Sequence, residues 1–142
     1  MRYLLDTNVA SEPLRPRPDP GVLKRLREHH GDIALPALVW HELHYGCLRL
    51  PRSRKRKAIE RYLSEVLAGS FPILGYEQAA AEWHARERAR LAAKGRPPSF
   101  IDGQIAGIAR ANDLVLVTSN RRDFEAFEDL ELEDWRTGGT ES

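Results

Sequence analysis

Asp6, Glu42, Asp102, Asn120 and Asp123 are spread along the 142-residue chain. Each falls where an open α/β sheet keeps its chemistry, at or beyond the carboxyl end of a strand. Asp6 ends the first β-prone run, and Glu42 lies on the helix after the second. Asp102 occupies the first turn of the helix before the strongest strand, and Asn120 and Asp123 follow that strand's end. Carboxylates gathered in one cleft repel strongly, and the usual resolution is a hard divalent cation such as Mg2+ or Mn2+. Oxygen ligands with several retained waters suggest phosphoryl chemistry.

Each acid also has a structural use. Asp6 precedes Thr7 and Asn8, so its carboxylate could cap the following helix; the residues leave capping and ligation equally open. Glu42 fits a helix surface. Ser99-Phe100-Ile101-Asp102 has the spacing of a capping box. Yet Asp102 shares a helix face with Ile105 and Ala106, and a carboxylate along an apolar stripe is costly unless something pairs with it, which favours function there.

His41-Glu42-Leu43-His44 lacks the H-E-x-x-H spacing of a zincin, because its histidines are three apart and position 45 is Tyr. His29, His30 and His84 are expected on the surface or in loops. No G-x-x-x-x-G-K, G-x-G-x-x-G or G-x-S-x-G occurs, so phosphate-cradling loops and a serine nucleophile have no support.

The elements that must position these residues alternate. Short strands are expected at 2–5, 33–35, 71–74, 114–117 and 130–132, and helices at about 21–30, 36–50, beyond Pro51 to Gly69, 77–93 and from Ser99 to Asn112, with a last helical turn at 123–127. Leu114-Val115-Leu116-Val117 is apolar throughout, as a strand covered on both faces requires. The pattern predicts an α/β sandwich with a mostly parallel sheet. One domain spanning 1–142 is expected, with 133–142 as a frayed tail.

Charge is unevenly placed. Residues 1–122 hold 21 Lys and Arg against 13 Asp and Glu, a net of +8, whereas 123–142 carry eight acids and one Arg, a net of −7. One basic cluster is Arg49, Arg52, Arg54, Lys55, Arg56, Lys57 and Arg61; the other is Arg86, Arg88, Arg90, Lys94 and Arg96. Both adjoin segments that carry candidate acids, so a phosphate backbone could be guided towards the cleft. A lone cysteine, Cys47, allows no internal disulfide or Cys-based zinc site. No apolar run suits a membrane helix and no export signal precedes Asp6, so a cytoplasmic protein is expected.

Residues 4–12 (LLDTNVASE), Glu42, residues 100–109 (FIDGQIAGIA) and residues 116–124 (LVTSNRRDF) resemble, in order and at familiar distances, the successive motifs of PIN-domain proteins. The resemblance is to the VapC toxins and the FitB and StbB plasmid-stability type, and it covers nearly the whole chain. It implies a three-layer α/β/α sandwich that cleaves RNA with Mg2+ or Mn2+, usually as a homodimer, and is held inactive by a VapB- or FitA-like antitoxin. By motif, Asp6, Glu42 and Asp102 match the family's three acidic positions, with Asp6 and Asp102 as direct metal ligands. Asn120 stands where many relatives have Asp, and Asp123 supplies an acid as in the FitB-like group. Thr118 matches a polar residue at the strand end, and Gly103 replaces a common Ala with no expected effect on chemistry. Arg49, Arg52, Arg54, Lys55, Arg56 and Lys57 are the expected RNA-binding residues. The competing class is a catalytically silent PIN-like subunit of a DNA-bound repressor. A DNA repair or flap nuclease is disfavoured by the short chain.

Overall fold

The computed structural model describes residues 1–137. Among the described residues five strands, β1 (Tyr3–Leu5), β2 (Ile33–Pro36), β3 (Ile73–Leu74), β4 (Val115–Val117) and β5 (Leu132–Glu133), form one sheet in the order β3-β2-β1-β4-β5. Every pairing is parallel, so the expected mostly parallel sheet is entirely so. Successive strand side chains point to opposite faces, and all of β1 and β2 is buried, so both faces are covered.

The helices are α1 (Thr7–Ala10), α2 (Pro20–Glu28), α3 (Ala37–Leu48), α4 (Arg54–Arg61), α5 (Ala68–Ser70), α6 (Gln78–Ala93) and α7 (Phe100–Ala111). A π-helical turn, Tyr62–Leu67, joins α4 to α5. Its Tyr62 hydroxyl donates to the Ala10 carbonyl at 2.8 Å, tying this long crossover to the first helix. Burial pushes the Tyr62 phenol up to about 12, so it remains a donor.

The strand order reverses direction at β1. The chain builds outward through β2 and β3, then returns to lay β4 and β5 on the other side. The register places Leu5 beside Val117, so the residues that leave β1 and β4 emerge side by side at the switch point.

Three expectations are corrected. The expected edge strand at 130–132 forms as β5 at Leu132–Glu133, because Asp129 turns the chain with φ of 58° just before it. The expected helical turn at 123–127 is instead a 3-10 turn at Arg121–Asp123. The frayed tail is not frayed over 133–137: Trp135 is buried, 5.1 Å from the Tyr3 ring and 5.6 Å from His29. Asp19, the cap of α2, also accepts from the Thr137 backbone at 2.9 Å, which pins the end of this segment. The rest of that expected tail, 138–142, lies outside the described residues.

Candidate active site at the carboxyl edge of the sheet

Asp6 is the first residue beyond β1, and its backbone N–H still donates to the Val117 carbonyl at 2.9 Å. Its side chain caps α1 and at the same time reaches across to the residue that follows β4. Oδ1 accepts from Thr7 N at 2.9 Å, and Oδ2 accepts from the Thr118 hydroxyl at 2.9 Å. Thr118 is fully buried and accepts in turn from Asn120 N at 3.0 Å. Thr118 thus fixes both the Asp6 carboxylate and the turn that carries Asn120 towards Asp123. That turn closes with Asp123 N donating to the Asn120 carbonyl at 3.1 Å.

Asp102 is delivered by α7. Ser99 caps the helix, its Oγ accepting from Asp102 N at 3.3 Å, and leaves the half-buried carboxylate on the first turn. Burial, then the Asp123 charge, then that of Asp6 raise the Asp102 carboxyl to about 6; the Ser99 hydroxyl acts in the opposite direction. Asp6 is also raised, chiefly by burial, with Asp123 adding to the shift and the bonds from Thr118 and Thr7 opposing it. The three acids therefore share one electrostatic site. Among the described residues no Lys or Arg forms an ion pair with any of them.

Asp102 and Asp123 line a cleft of about 640 Å³ together with Ser99, Arg96, Arg122 and Phe127. Glu42 stands apart: it is exposed on α3 and is not among the charges that shift Asp6 or Asp102. Among the described residues, no three His, Cys, Asp or Glu side chains converge as a ready-made metal cage. The donor chemistry nonetheless fits a hard cation, since Asp6 and Asp102 offer carboxylate oxygens that no cationic side chain neutralises.

The basic segment expected to hold RNA is divided. Arg52, Arg54, Lys55 and Lys57 are exposed, and Arg49 is exposed with its guanidinium 4.9 Å from the Tyr45 ring centroid. Arg56 turns inward, donating to the Leu50 carbonyl at 3.1 Å and pairing with Glu60 at 3.3 Å. Its guanidinium stitches the α3–α4 connection, so part of its donor capacity is already used within the fold. None of this segment lines the cleft.

Two features escaped the sequence. His84 is buried, not on the surface or in a loop: its Nδ1 lies 2.8 Å from the Tyr76 hydroxyl, and its ring is pressed against Gly103. A Cβ at Gly103 would stand 2.1 Å from His84 Nε2, so the small residue beside Asp102 is required for α6 and α7 to approach. The other is a clamp on the loop beyond Asp123. Arg90 grips the buried Glu87 with two bonds of 2.9 Å, Glu87 accepts from Glu128 N at 2.7 Å, and Arg90 donates to the Ala126 carbonyl at 2.8 Å. Arg90 was counted with a basic cluster; its i,i+3 spacing from Glu87 was the available signal.

Fold and site together define an α/β domain with unneutralised carboxylates at the switch point of a parallel sheet. The PIN domain family model matches residues 3–130. The chain is 33% identical to the tRNA(fMet)-specific endonuclease VapC of Shigella flexneri, over 95% of this chain and 98% of that protein. It is 30% identical to Toxin FitB of Neisseria gonorrhoeae, over 93% and 97% respectively. Among solved structures, DNA-bound VapBC from Salmonella typhimurium superposes with a TM-score of 0.81 at 29% identity, covering 95% of this chain and 98% of that one. The chain belongs to the PIN-domain family, in its VapC group.

Proposed function

We propose that this protein is the toxin of a type II toxin–antitoxin pair, a cytoplasmic, metal-dependent endoribonuclease neutralised by a VapB- or FitA-like antitoxin and acting as a homodimer. The observation that carries the reading is that the charges of both Asp6 and Asp123 act on Asp102 at the switch point, while none of the three acids has an ion pair among the described residues. Relatives named endonuclease, ribonuclease and toxin support it.

In this reading Asp6 and Asp102 would hold a Mg2+ or Mn2+ ion, Asp123 would help complete its shell and orient a water, and Glu42, which matches the motif but stands apart on α3, would act on that shell only from a distance. A bound divalent ion lowers the pKa of a coordinated water and neutralises charge developing on phosphate oxygens. Thr118 keeps Asp6 from rotating out of the site. Asn120 orients ligands or a water, and the exposed Arg49, Arg52, Arg54, Lys55 and Lys57 attract the RNA backbone from a distance.

The DNA-bound Salmonella VapBC gives weight to a second reading, a silent subunit of a repressor complex. Mutually repelling acids favour the first, because a silent subunit has no use for them. Incubating the purified chain with labelled RNAs, tRNA(fMet) first, in Mg2+ or in EDTA separates the two. Cleavage in Mg2+ that ceases in EDTA and in Asp102→Asn supports the nuclease. Cleavage at an unchanged rate in Asp102→Asn overturns the site, and no cleavage of total RNA with retained operator binding favours the repressor. Sequencing RNA ends after brief induction in cells then identifies the target.

A further inference from the structure

A phosphodiester entering the cleft beside Asp102 and Asp123 meets like charge, and the exposed segment at 49–57 does not line that cleft to offset it. Among the described residues, Arg96 and Arg122 are the only cations in its lining. Both are exposed, and neither makes an ion pair within the described residues, so the fold does not use their charge.

Their backbones lie in defined turns. Helix α6 ends in a Schellman motif: Gly95 takes φ of 72° and donates to the Ala92 carbonyl at 3.0 Å, while Arg96 N donates to the Leu91 carbonyl at 2.8 Å. Pro97 follows at once and restricts Arg96 further. Arg122 lies in the 3-10 turn Arg121–Asp123, anchored beneath by the buried Phe124. The Glu87–Arg90 clamp secures the chain just beyond that anchor. Two guanidinium forks without an ion pair among the described residues, carried on two fixed turns that line the same cleft as Asp102 and Asp123, suit a planar bidentate acceptor.

We infer that Arg96 and Arg122 form a phosphate clamp that seats the RNA backbone phosphate flanking the scissile one. The inference rests on the nuclease reading and deepens it. Arg90, from the same basic cluster as Arg96, has no part in the clamp because Glu87 and the Ala126 carbonyl occupy it.

The test measures two quantities on one single-stranded RNA that the wild type cleaves, or on tRNA(fMet) where none is found. Binding is measured by fluorescence anisotropy in the Asp102→Asn background between 50 and 200 mM KCl, and cleavage is measured under single-turnover conditions. Arg96→Gln and Arg122→Gln are each expected to weaken binding about tenfold. Each should lower the slope of log affinity against log salt by about 0.7, as loss of one phosphate contact to a single strand requires. Arg96→Lys keeps the charge without the fork and should fall between. Arg27→Gln, at an exposed position on α2, should change neither quantity, and unchanged melting temperatures would show that the clamp arginines are not structural. Unchanged affinity and salt slope in both glutamine variants overturn the clamp, whatever the cleavage result. Absent wild-type cleavage with a clear arginine effect on binding instead overturns the nuclease reading and leaves the clamp standing as a binding site.

Discussion

Asp102 at the start of α7 and Glu87 on the neighbouring α6 are carboxylates in partly or fully buried positions, and their surroundings treat them in opposite ways. Glu87 is answered by Arg90 and by the Glu128 amide, and the Arg90 bonds hold its carboxyl below the ordinary range. Among the described residues Asp102 is answered by no cation, and burial with the charges of Asp123 and Asp6 lifts it to about 6. A satisfied buried acid is part of the scaffold, whereas acids left to repel one another cost stability, which makes them candidates for a binding role. The paired acid also serves the unpaired ones, because its clamp fixes the loop that follows Asp123.

The largest way to break this contrast is to remove charge from the unpaired group. Asp6→Asn keeps an oxygen for the Thr7 amide and turns an NH2 towards Thr118, whose hydroxyl oxygen can accept it, and should lower the cleavage rate about 100- to 1000-fold with the fold intact, read by single-turnover kinetics beside circular dichroism. Activity near the wild-type level would mean that the site lies elsewhere. Next comes the paired group: Glu87→Ala leaves Arg90 only the Ala126 carbonyl and the Glu128 carboxylate and leaves the Glu128 amide without its acceptor, and should lower the melting temperature by about 5–10 °C. Cleavage at a permissive temperature should fall less than in Asp6→Asn.

A smaller effect is expected where the two regions touch. Gly103→Ala drives a methyl into His84 and should cost about 1–3 kcal/mol in chemical denaturation. Adding His84→Ala makes room for that methyl, so the double variant should be more stable than the sum of the two single effects allows. Strict additivity would show that α6 and α7 do not meet through this pair.

The smallest effect sharpens the contrast through pH. Asp102 binds its proton more tightly folded than unfolded, so its stabilising contribution is present below about pH 4 and is lost as pH rises through about 6. In metal-free buffer Asp102→Asn should therefore be more stable than the wild type at pH 7.5, by about 1–2 kcal/mol after solvent screening, and no more stable at pH 4. Glu87 has the opposite sign: its contribution is present above its unfolded value and is lost as pH falls. Thermal melts of Asp102→Asn and Glu87→Gln at both pH values should diverge in opposite directions.

Period and punctuation placed α7 and the run of apolar residues in β4, because a helix bounded by Ser99 and Asn112 and a strand covered on both faces leave strong local signals. They also located Asp6 and Asp102, whose positions depend on the ends of those elements. Trp135 was less legible: it joins Tyr3 and His29 across more than 100 residues of chain, and no local pattern encodes that contact. His84 was misplaced, and the inward turn of Arg56 missed, for the same reason, since whether a polar residue faces solvent depends on what packs over it.

The sequence by itself determined the alternation of strands and helices, the acids available for chemistry and the family motifs, all carried by residue type at fixed spacing. Tertiary structure decided which charges remain free. Arg56, Arg90 and Glu87 are taken up by partners that folding brings to them, while Asp6, Asp102, Arg96 and Arg122 are left without an ion pair among the described residues. The physical reason is that a charge acquires its function from the partner it lacks, and partners are assigned only when distant segments meet.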